Sequence, residues 1–133
     1  MRTPATLRER RRQRGAAAIE YALILPAVLI FFFGLMDAGR LLWSYTTLSR
    51  AVEAAARCGA INTTLCGTAA QVKTFAVSQA WGMTITASAF TVTTATCGIK
   101  VSGSYDFEYV MPILNAVVPR GTITVTASAC YPL

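Results

Sequence analysis

Histidine is absent from the sequence, and that one absence removes a large part of enzyme chemistry. Without an imidazole there is no Ser–His or Cys–His pair to activate a nucleophile at neutral pH. Acids are scarce too, six Asp and Glu against twelve Lys and Arg. Asp106 and Glu108, which share a strand face beside Lys100, read as a solvated surface. No glycine-rich phosphate loop occurs. Four cysteines are present, but with no histidine and no C-x-x-C spacing they lack the pattern of a zinc site. The chain is therefore expected to be no enzyme and to hold no metal or cofactor.

Charge of any sign is thin: 14% of the 133 residues, against 54% hydrophobic. An ordinary soluble domain carries about 25% charged residues. A multispan membrane protein is excluded from the other side, because only one long apolar run exists. The basic excess is local. Arg2, Arg8, Arg10, Arg11, Arg12 and Arg14 face only Glu9 within the first fifteen residues, and the remainder is nearly neutral. A basic arm can bind nucleic acid. Here it stands directly before the apolar run, where clustered arginine holds an N-terminus on the cytoplasmic side of a membrane. No nucleic-acid partner is expected.

Residues 1–15 show no apolar periodicity and read as a disordered or extended leader. Ala16 to Met36 is apolar throughout except for Glu20, about long enough to cross a hydrocarbon core of roughly 30 Å. Pro26 lies inside it and has no N–H for the carbonyl of Ala22, which predicts a bend near that turn. Helical spacing continues outward: Leu41, Tyr45, Leu48, Val52 and Ala55 recur at steps of four and three, with Arg40, Ser44, Arg50, Glu53 and Arg57 largely off that stripe. Gly59 is placed as the C-terminal stop, giving one helix over 16–58. Trp43 and Tyr45, just past the span, read as interfacial aromatics. Asp37 and Arg40, three apart, read as a surface ion pair.

All four cysteines lie beyond the span, on the side that the basic leader places outside the cytoplasm, where disulfides are the expectation. Three pairings are possible. The short loop favours Cys58–Cys66, which leaves Cys97–Cys130. After a loop over 60–67, Thr68 and Gln71 form a capping box that opens a short second helix, with Gly82 as its stop. Period two then takes over. Ile99, Val101, Tyr105, Phe107 and Tyr109 alternate with polar residues, as do Ile123, Val125, Ala127 and Ala129. A parity change near Ala89 predicts a turn or bulge. Pro112 and Pro119 bracket the connection between the last two strands. The expected fold class is α+β: a long N-terminal helix, a short second helix and about three antiparallel strands packed on the first helix.

The informative constellation is Arg14-Gly15-Ala16-Ala17-Ala18-Ile19-Glu20-Tyr21, followed at once by the apolar run. A secretory signal would place its small-residue cleavage site after the run; here the small, flexible site comes before it. Gly15, four residues, then Glu20-Tyr21 resembles the prepilin processing motif in its tight-adherence (Flp) form. The stretch from Arg14 to Arg57, with Leu25-Pro26, Phe33-Gly34, Asp37-Ala38-Gly39-Arg40 and Leu48-Ser49-Arg50-Ala51, is similar to the TadE-like pseudopilins. Tyr21 departs from the phenylalanine common in TadE-like members. The extra domain beyond the helix favours a minor over a major pilin.

The resemblance implies cleavage between Gly15 and Ala16 by a membrane prepilin peptidase. It implies a leader (1–15), an assembly helix (16–36, with Glu20, Pro26 and Gly34 as its marked positions) and an extracytoplasmic domain (37–133, with 37–58 continuing the helix). Implied partners are other pilin subunits, major and minor, the peptidase, the inner-membrane assembly machinery and the membrane. The implied location is the bacterial inner membrane, a single pass with the N-terminus cytoplasmic, and after assembly an extracellular pilus that serves surface adhesion. The alternative is a single-span protein whose outer domain binds a ligand without entering a filament.

Overall fold

The computed structural model describes residues 4–111 and 121–133, with side chains from Ala18 onward. Pro112 and Pro119 lie outside the described residues. The chain divides into two compact units, Met1–Met36 and Asp37–Leu133.

Helix α1 runs from Pro4 to Ile61. It begins well before Ala16, so residues 4–15 of the leader are helical rather than disordered or extended. Arginine, alanine, glutamine and leucine all propagate a helix well, and no β-branched cluster interrupts them. The helix also continues through Pro26.

In the second unit α1 supplies one wall of the core. Its buried residues are Asp37, Ser44, Thr47, Leu48, Ala51, Val52, Ala55, Ala56 and Gly59. Ser44 therefore lies on the stripe, and Tyr45 is exposed at its edge. The apolar spacing alone put Tyr45 inside because it weighs hydrophobicity and ignores size. A small hydroxyl residue fits where the helix meets its neighbours, and a phenol ring does not.

Gly59 does not stop the helix. It is buried, and a Cβ there would meet Val72 Cγ2 at 3.2 Å and Ile99 Cδ1 at 3.4 Å. Close packing, not termination, accounts for glycine at this position. The expected loop after it holds a further turn, α2 (Thr63–Cys66), whose N-cap Asn62 accepts a hydrogen bond from the N–H of Leu65. Helix α3 (Ala69–Gln79) opens with the Thr68–Gln71 capping box.

A 3-10 turn at Ala87–Ala89 absorbs the parity change, and three strands follow: β1 (Phe90–Ala95), β2 (Gly98–Glu108) and β3 (Thr122–Tyr131). They form one antiparallel sheet in the order β1-β2-β3. Phe90, Val101, Phe107 and Val125 point from it into the core against Leu48, Val52, Val72 and Ala76. Each such Leu, Val or Phe contributes about 1.5–3 kcal/mol relative to exposure. The helix and sheet approach closely at Gly103, where a Cβ would sit 2.9 Å from Phe90 Cε1 and 3.0 Å from Leu48 Cδ1. Disulfides join Cys58 to Cys66 and Cys97 to Cys130. The fold is α+β, with the three-stranded sheet packed on the first helix.

Candidate processing and assembly site

Every marked position of the processing motif lies on α1. Gly15 and Ala16 fall within its helical backbone; their side chains lie outside the described residues. Glu20 and Tyr21 are exposed, Tyr21 by 74%. A helix places Ala16 one turn below Glu20 on the same face, about 6 Å along the axis. Side chains lean toward a helix's N-terminus, so the Glu20 carboxylate leans toward the nitrogen of Ala16. Among the described residues no salt bridge engages Glu20.

From Ile19 to Met36 the large apolar side chains, including Leu23, Ile24, Phe31, Phe32, Phe33 and Leu35, are exposed. An apolar surface this continuous must be covered by lipid or by other helices. The helix is long and apolar enough to cross a membrane. Gly34 is half-buried and Gly39 faces open space. Asp37, directly after the run, is only 3% exposed.

Among the described residues of the second unit, Asp37 has the side chain with the most hydrogen-bonded partners. Its Oδ2 accepts the N–H of Met111 at 3.0 Å, and its Oδ1 accepts the N–H of Val110 at 3.3 Å and the Arg40 guanidinium at 2.9 Å. Burial alone would raise the carboxyl's pKa, but the two backbone donors and the Arg40 cation outweigh it and hold the group below its ordinary value. Arg40 in turn lies over the Phe107 ring at 5.1 Å, and Phe107 meets Tyr109 edge-on at 5.5 Å. The expected surface pair is thus present but half-sunk: Arg40 is exposed and Asp37 is not. Asp37 ties the start of the outer helix to the segment just after β2. The one available clue was its position, four residues before Leu41 and eleven before Leu48, in register with the apolar stripe.

Asp106 and Glu108 point outward, and Asp106 accepts a hydrogen bond from the Thr124 hydroxyl at 2.6 Å.

Against known families, residues 15–57 match the model described as TadE-like protein. That stretch covers about a third of the chain and includes the processing motif, the apolar run and the Asp37–Arg40 pair. No curated protein and no solved structure matches the chain.

Proposed function

We propose, on the premise that the chain is a TadE-like protein over residues 15–57 and so associated with the tight-adherence (Tad) pilus, that it is a minor pilin of that filament. In this reading a prepilin peptidase cuts the Gly15–Ala16 bond, and residues 16–36 then pack with the equivalent helices of other subunits. The exposed apolar surface over 19–36, which a lone chain in water could not sustain, is the observation that carries it.

Cleavage inside a helix requires local unwinding, and Gly15 lowers that cost, since glycine is about 1 kcal/mol less favourable than alanine in a helix interior. The cut frees the α-amine of Ala16 one turn from Glu20. A carboxylate in a lipid or packed-helix setting is costly unless paired. The new amine, on the same subunit or a neighbour, is the partner this register supplies. The carboxylate also falls in the first turns of the shortened helix, where the backbone dipole favours negative charge.

The test is the mass of the protein recovered from its host. A chain beginning at Ala16 is expected, and replacing Gly15 should leave it uncut and membrane-bound. A native product beginning at Met1 would instead favour an anchored binding domain outside any filament.

A further inference from the structure

A groove of about 370 Å³ on the second unit is lined by Trp43, Thr47 and Arg50 from α1 and by Gln79 and Trp81 from the end of α3. It is the size of small-ligand sites, which begin at about 300 Å³. Trp43 and Trp81 are 63% and 75% exposed, an unusual outlay of indole surface for a domain whose other large rings are mostly packed. Two elements bring them together. Trp43, Thr47 and Arg50 repeat at steps of four and three, one face of α1. The chain leaves α3 through a turn with Gly82 at φ +69°, a conformation that side chains other than glycine's rarely adopt. A Cβ at Gly82 would lie 3.8 Å from Trp43 Nε1, so the turn carrying Trp81 rests beside the Trp43 indole.

We infer that this groove binds an acidic saccharide. A pyranose ring has an apolar C–H face and a rim of hydroxyls. The indole faces suit the first, and Gln79, Thr47 and Arg50 offer donors and acceptors to the second. No carboxylate lines the groove, and among the described residues no salt bridge engages Arg50. Its fork is free to take a uronate carboxylate in paired hydrogen bonds. An alkyl chain would bury Arg50 and Gln79 without partners, and a bare anion would leave both indoles in water.

Chemistry separates this ligand from a lipid headgroup: a phosphodiester would engage Arg50 but offers no apolar ring face to the two indoles. The inference does not depend on entry into a filament.

The chain has two tryptophans, and both line this groove, so tryptophan emission, excited at the red edge where the five tyrosines absorb little, reports on it alone. The full chain in detergent micelles is titrated with trigalacturonate, with cellotriose as the neutral probe of equal length. Trigalacturonate should shift tryptophan emission saturably, with a Kd of about 1 mM or tighter, and cellotriose should bind at least about tenfold more weakly. Trp81→Ala, read through Trp43, and Arg50→Gln should each weaken trigalacturonate about tenfold or more, with far-UV circular dichroism unchanged because both residues lie at the surface. The inference is overturned by absence of a saturable response to trigalacturonate, by an undiminished response in either variant, or by equal response to cellotriose. A shift produced only by phosphatidylglycerol nanodiscs would overturn it too, and would give the groove to lipid.

Discussion

Asp37 shows how one side chain can be half legible. Its pairing with Arg40 follows from the i, i+3 spacing on a helix. Its bonds to Val110 and Met111, more than seventy residues away, follow from nothing local. Without the carboxylate, Arg40 and the Val110 N–H can turn to water, and the buried Met111 N–H is left short of a partner. Asp37→Ala should therefore cost about 1.5–3 kcal/mol, and Asp37→Asn about 1 kcal/mol, since the amide keeps one acceptor oxygen but loses the charge. Urea unfolding of the detergent-solubilised protein measures both. Because the folded carboxyl titrates below the ordinary 3.8, its contribution is complete above that value and is lost as pH falls through the lower folded value. Wild-type stability should hold from neutrality to about pH 5 and fall in stronger acid, and Asp37→Asn should lack that component of the fall.

At the level of elements, periodicity revealed most of the architecture. Alternation located β2 and β3 to within a residue or two, and the Thr68–Gln71 box located the start of α3. The parity change at Ala89 marked the 3-10 turn. What escaped was decided by neighbours in space. Gly59 looks like a stop until Val72 and Ile99 crowd it, and the leader looks formless until its helix-forming residues extend an existing helix. Gly103, a break in the apolar alternation of β2, lets Leu48 and Phe90 close over the strand. The two disulfides secure different elements. Cys97–Cys130 closes a loop of 33 residues, fastening the β1–β2 turn to the end of β3, which corresponds to about 3.7 kcal/mol of unfolded-chain entropy. Cys58–Cys66 closes 8 residues, for about 2.5 kcal/mol. The Cys97→Ser/Cys130→Ser pair should lower the thermal midpoint more than Cys58→Ser/Cys66→Ser, as calorimetry on the two double variants would register.

For the molecule as a whole, the division at Met36–Asp37 coincides with the change from continuous hydrophobicity to a one-sided stripe, a shift plain in the sequence. The groove between the tryptophans was not plain, because Trp81 reaches Trp43 only once α3 has turned back on α1. The second unit has its own core, both disulfides and the Asp37 bonds. A fragment of residues 37–133 should accordingly be soluble without detergent and folded, whereas the intact chain should require detergent. Size-exclusion chromatography and near-UV circular dichroism, run on both, test this.

Asp37 opens the second unit and also grips the residues that follow its central strand. Tension drawn along α1 by a retracting or shearing fibre would reach the β-structure first through that grip. There, the neighbouring amides of Val110 and Met111 share the strain through one carboxylate, which Arg40 braces from α1 itself. If the chain enters the proposed filament, that grip is where load from α1 would pass into the second unit without opening its core.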